Sequence, residues 1–263
     1  MRLTIILTCV LLLTACASTP QKAPEDVSKF TPGQNYTRAM VLRDKNDFAG
    51  AVEFLHKAAE GGHVDASLEL GIWYLKGTYV TADSAEAARW LLRAADAGSV
   101  DGQLMIAQMY MSGKGVLPDK AEAFKWLSKA AAQDDLIAQY MLGLCYFEGY
   151  GTEQNPQTAA TWLRTAAERG LEDAQYHLGV MLTIGDGIDK DEPGAVEWFG
   201  KAAAKRHAPS CFALGEAHEK GRGTPVDIPQ AIKWYRLAAA QDERADVRDA
   251  ALARIAALDR KPD

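Results

Sequence analysis

Four cysteines and five histidines are all that 263 residues offer for metal or thiol chemistry, and neither set is patterned for it. His56, His63, His177, His207 and His218 contain no pair at the spacing of a metal-binding helix and no H-E-x-x-H. Cys9 sits in an N-terminal apolar run, and Cys145 and Cys211 sit in the apolar phrases GLCYF and SCFAL, so no disulfide framework is implied. The chain also lacks a Lys/Arg run. With 29 basic and 35 acidic residues its formal charge is −6, which removes the electrostatic footprint of a nucleic-acid partner. There is no G-x-S-x-G elbow and no P-loop, and the Gly-x-Gly tripeptides follow no strand, so they are not phosphate cradles. No metal, cofactor or small-molecule substrate is expected, and no apolar run is long enough for a membrane span.

The N-terminus is a different matter. MRLTIILTCVLLLTAC has one basic residue, Arg2, then a short apolar run from Leu3 to Leu13, the pattern of a secretory signal peptide. Its end, Leu13-Thr14-Ala15-Cys16, resembles a bacterial lipobox. That resemblance implies cleavage before Cys16, lipidation of its thiol, and attachment to a membrane without spanning it. Alanine rather than aspartate at position 17 implies the outer membrane of a Gram-negative cell, facing the periplasm. Residues 16–35 hold the lipidated cysteine and a tether with three prolines, able to reach roughly 60 Å when extended. The expected division is thus 1–15 signal, 16–35 anchor and tether, and 36–260 folded body.

The body is repetitive. Trp90, Trp126, Trp162, Trp198 and Trp234 follow one another at a constant 36 residues, and Phe54 extends the series backwards. Three residues before each aromatic is an alanine, from Ala51 to Ala231, and pairs such as Ala94-Ala95 and Ala130-Ala131 follow it. These offsets share one side of an α-helix. Asp47, Asp83, Asp119, Asn155, Asp191 and Asp227, seven before each aromatic, read as N-caps. Gly62, Gly98 and Gly170 read as left-handed stops; Asp134 and Arg206 replace that glycine elsewhere, and Arg206 is expected to alter its turn. A second helix follows each first one, with the pattern Leu70-Gly71-x-x-Tyr74, repeated at Ile106, Leu142, Leu178 and Leu214 and closed by Gly-x-Gly. Such short helices cannot hold singly in water and must stack. The alanines and glycines allow close approach and the tryptophan is expected to fill the remaining gap. The predicted fold is all-α, a right-handed solenoid of helix-turn-helix repeats with a cap helix at 36–45 and another at 243–260. Cys145 and Cys211 then lie two layers apart, too far to pair.

A-x-x-W-x-x-x-A-A-x-x-G, L-G-x-x-Y and G-x-G before an N-cap Asp resemble the Sel-one-like repeat, a relative of the tetratricopeptide repeat, over about residues 36–240. Leu182 and His218 depart from it at the tyrosine position, which bears on local packing there. The resemblance implies a non-catalytic protein-binding scaffold. Relatives include periplasmic immunity proteins that neutralise secreted lipase toxins, and scaffolds for exopolysaccharide export or envelope assembly. A β-lactamase-like branch carries a cysteine pair in each repeat, which this chain lacks. The expected partner is a secreted effector or an envelope component.

The resemblance also implies that the L-G-x-x-Y helices line the concave face. Ile72, Leu75, Met111, Leu144 and Phe147 are apolar where the repeat is usually polar, and are expected to form an exposed stripe that anchors the partner. Tyr140 and Tyr176, two residues before their leucines, join them as partner-binding candidates.

Overall fold

The computed structural model describes residues 29–241 and 244–259. The signal segment, Cys16 and the tether as far as residue 28 lie outside the described residues. Among the described residues every regular element is helical: α1 Pro32–Asp44, α2 Phe48–Glu60, α3 Val64–Lys76, α4 Ser84–Asp96, α5 Val100–Ser112, α6 Lys120–Ala131, α7 Leu136–Glu148, α8 Pro156–Glu168, α9 Glu172–Ile184, α10 Glu192–Ala204, α11 Ala208–Lys220, α12 Ile228–Ala239 and α13 Ala245–Leu258. Each packs chiefly on its chain neighbours, as a solenoid requires.

The even-numbered helices up to α12 carry the aromatic anchors, and all six begin as expected. Asp47, Asp83, Asp119, Asn155, Asp191 and Asp227 each accept a backbone N–H from the first turn. Asp119 Oδ1 takes two, from Ala121 at 2.9 Å and Glu122 at 3.1 Å. Replacing Asp119 with alanine should cost about 1 kcal/mol, read as a lowered urea midpoint, while asparagine should restore most of it.

Three expectations need correction. The first helix begins at Pro32 rather than 36, because Thr31 and Gln34 form a reciprocal capping box and Pro32 occupies the first turn. Arg206 does not alter its turn: its φ is 65°, and Arg206 N–H and His207 N–H reach the Ala203 and Ala202 carbonyls as Gly98 N–H and Ser99 N–H reach those of Ala95 and Ala94. The tryptophan is not what fills the gap between helices throughout. Phe54, Trp90 and Trp126 are buried, but Trp162, Trp198 and Trp234 are only half-buried. The residue after each aromatic is the fully packed one: Leu55, Leu91, Leu127, Leu163, Phe199 and Tyr235.

That residue sits over the small position of the preceding L-G helix. Gly71 faces Leu91, Gly143 faces Leu163, and a Cβ on Gly179 would stand 2.5 Å from the Phe199 ring. The tight hairpin is therefore an L-G helix with the aromatic helix that follows it, α3 with α4 or α9 with α10. The packing question at Leu182 and His218 resolves in the same terms. Where the tyrosine of the L-G helix is lost, the facing leucine becomes Phe199 or Tyr235, so the ring moves from one wall of the hairpin to the other. Leu182 and Phe199 are both buried in one cluster.

A buried polar series was not anticipated. Gln103, Gln139 and Gln175 recur at 36 residues and are buried. Gln103 Nε2 donates to the Ala95 carbonyl at 3.1 Å and Gln175 Nε2 to the Ala167 carbonyl at 3.0 Å, satisfying helix C-termini that packing removes from water. Cys145 and Cys211 are free and buried, and burial pushes the Cys145 thiol up to about 11.

Candidate functional site

Packing consumes one arc of each L-G helix and leaves another open. Leucine and glycine of the motif, with the positions three before and three after the leucine, face neighbours; positions two before, two after and five after it lie on the open arc. All seven expected partner-binding residues fall on that arc, in different settings. Met111 is exposed, at 39% of its surface. Ile72, Leu75, Leu144, Phe147, Tyr140 and Tyr176 are half-buried. Leu144 and Phe147 lean on the α8 cluster of Ala159, Ala160 and Leu163 together with Tyr140. Leu75 leans on the α4–α6 cluster.

The structure brings Tyr140 and Tyr176 together with residues outside the expected set. They line an open groove of about 400 Å³ with His177, Phe212, Asp173 and Arg244. Ring contacts run through it: Tyr140 to His177 at 5.6 Å between centroids, His177 to Tyr176 at 5.2 Å, and Tyr176 to His207 at 5.6 Å. Burial, with the Asp173 and Glu148 carboxylates nearby, pushes the Tyr140 phenol up to about 12, so it stays a neutral hydrogen-bond donor. A hydrogen bond to His207 holds Asp173 below its ordinary range.

On the other side of Tyr176 is a smaller cleft of about 140 Å³ between α9, α10 and α11, with walls of Val180, Ile184, Val196 and Phe199. It exists because Ala213 and Ala217 stand where other repeats place Met105, Met141 and His177, or Met109, Cys145 and Met181. That loss of volume was readable by comparing repeats. Neither hollow is lined by Ile72, Leu75, Met111, Leu144 or Phe147.

One grouping has the order of a hydrolytic triad. His207 Nδ1 lies 2.8 Å from Ser210 Oγ, and His207 Nε2 lies 3.2 Å from Asp173 Oδ1. Ser210 is fully buried in the first turn of α11, so no substrate carbonyl can reach its oxygen. The trio joins α9 to α11. Among the described residues no three His, Cys, Asp or Glu side chains are grouped to hold a metal, and no helix is long and apolar enough to cross a membrane.

A family model described as Sel1 repeat matches six successive segments, 36–63, 64–99, 100–135, 136–171, 172–207 and 208–243. Its frames place each L-G helix before its aromatic helix, the hairpin that the packing defines. The crystal structure of a protective antigen present in uropathogenic Escherichia coli strains, described as displaying an SLR fold, is similar over 88% of this chain, with TM-score 0.77 and 28% identity. The chain spans half of that antigen's length, 50%. A Sel1 repeat protein from Oxalobacter formigenes is similar at TM-score 0.73 and 28% identity, covering 85% of this chain and 87% of that one. No curated protein matches the sequence significantly.

Proposed function

The chain belongs to the Sel1 repeat family, and from that premise we propose that it is a non-catalytic scaffold whose open L-G face binds another protein. The observation that carries this is Tyr176, a half-buried ring standing between two hollows on a face already rich in apolar side chains. Aromatic anchors beside pockets are the usual centres of binding energy in protein interfaces. The sealed Ser210 supports the non-catalytic reading.

The lipobox ending in Cys16 supports attachment to the outer membrane through lipid, facing the periplasm. In that place the partner is a secreted effector or an envelope component. The leading role is neutralisation of a secreted lipase-type toxin, because the two hollows adjoin at Tyr176 and suit a single compact contact. A scaffold for export or assembly is the second reading, and the apolar side chains spread along α3–α7 favour it. Expression of a candidate toxin in the periplasm separates the two: rescue by this protein is expected, and its loss in Tyr140→Ala/Tyr176→Ala. The variant should keep its helical circular dichroism and melt within a few degrees of the parent. Full rescue by a folded double variant would overturn the face assignment. Incorporation of a palmitate analogue, abolished by Cys16→Ser, tests the anchor.

A further inference from the structure

Charge is divided between the two kinds of helix. The L-G helices α3, α5, α7, α9 and α11 carry eight carboxylates and only two basic residues, Lys76 and Lys220, both in a last turn. The six aromatic helices carry eight carboxylates and ten basic residues, among them Arg89, Arg93, Lys125, Lys129, Lys233 and Arg236. Some of the L-G carboxylates already have partners: Glu172 pairs with Lys205, Glu216 with Lys220 and Glu219 with Arg254, and Asp173 accepts a hydrogen bond from His207. Asp65, Glu69, Asp101 and Glu148 make no ion pair among the described residues.

These four are placed in one way. They stand five before, one before or six after the motif leucine, positions that fall on a single edge of the open arc. Ile72, Leu75, Met111, Leu144 and Phe147 occupy the middle of the same arc. The surface is an apolar strip whose margin carries these four carboxylates among Met105, Ser112, Ile137 and Met141; among the described residues Lys76 stands on that margin too, and Arg43 of α1 is close enough to Glu69 to feel its charge. A partner presenting acids there would meet net repulsion, since four carboxylates outnumber Lys76 and Arg43, and a purely apolar one would gain nothing from the charge.

We propose that the open face of α3–α7 receives a cationic amphipathic segment of the partner, its apolar side chains on the strip and its Lys or Arg side chains along the Asp65–Glu69–Asp101–Glu148 edge. This rests on the protein-binding reading of the open face and adds the partner's chemistry to it. The margin is solvent-exposed at Asp65, Asp101 and Glu148, so its contribution is steering and specificity, and it weakens with salt.

The test uses the folded chain and two labelled synthetic peptides of about 18 residues, helical amphipaths of Leu with Lys and of Leu with Glu. Fluorescence anisotropy should show the Lys peptide binding and the Glu peptide binding at least about tenfold more weakly. Glu69→Lys/Glu148→Lys should weaken the Lys peptide about tenfold, and Leu144→Asp should weaken it too, while Glu53→Lys/Glu60→Lys on α2 should not. Equal binding of both peptides, with loss in Leu144→Asp, would refute the cationic partner and leave the face reading intact. Binding indifferent to Leu144→Asp would remove both. Absence of binding by the Lys peptide, or equal loss in the α2 variant, would overturn the proposal.

Discussion

Replacing Gly151 with alanine should lower the folding stability by about 3 kcal/mol or more, read from the urea midpoint at unchanged slope. Two costs combine. Gly151 has φ +72°, where a side chain is strained by about 1 kcal/mol. The larger cost is steric. A Cβ there would lie 2.0 Å from the Lys120 carbonyl oxygen and 2.6 Å from its carbon, in the first turn of α6. Backbone cannot swing aside as a flexible side chain does, so the loop must lift off α6 and open the stack. Gly98→Ala is the control: its φ is +94°, but nothing lies within 4 Å of the added carbon. It should cost only about 1 kcal/mol. Equal losses in the two variants would refute the account by close approach.

Glu219→Ala should release the C-terminal helix. Tyr235 Oη donates to Glu219 Oε2 at 2.8 Å, Arg254 Nε donates to the same oxygen at 3.1 Å, and Arg254 Nη2 donates to Oε1. The carboxylate thus ties α11 to both α12 and α13. Its side chain is 10% exposed against 39% for Arg254, so alanine strands a buried phenol and frees a guanidinium that water partly serves. The loss should be about 2 kcal/mol, below that of a fully buried pair. It should be local: amide exchange should rise in α13 while α3–α7 stay protected. Acid should mimic it. Burial raises the Glu219 carboxyl, but the hydrogen bonds from Tyr235 and Arg254 outweigh burial and hold it below its ordinary value of 4.5. A depressed folded value means that the stabilisation is complete above that ordinary value and vanishes as pH falls through the folded one. In Glu219→Ala this contribution to acid sensitivity should disappear.

The helix starts were legible because capping is local chemistry: Asp119 or Asn155 needs only the next few residues to act. Thr31 and Gln34 were legible on the same grounds, but the three prolines around them suggested a tether. Repeat length was legible because 36 residues return each tryptophan to the same environment. What periodicity cannot say is which of two neighbours a helix embraces, since a cyclic pattern has no first element. That depends on Gly179 meeting Phe199 across a hairpin, a relation between residues twenty apart whose side chains compensate. That the L-G helices carry the open arc came from the family resemblance; the offsets only say which of their residues share a side. The hollows beside Tyr176 were harder to see, because they arise from what Ala213 and Ala217 fail to fill, and a pattern search looks for what recurs.

The hairpin frame decides where this chain can be cut and rejoined. A module taken from residue 64 to 99 keeps Gly71 and Leu91 together and carries its own complementary walls. One taken from an aromatic helix to the end of the next L-G helix would pair a leucine-sized knob with a socket shaped for a phenyl ring, or the reverse, at α9–α10. Grafts and duplications along the first boundary should therefore be tolerated at junctions where those along the second jam or leave voids, and any lineage that lengthened such arrays would have met the same preference.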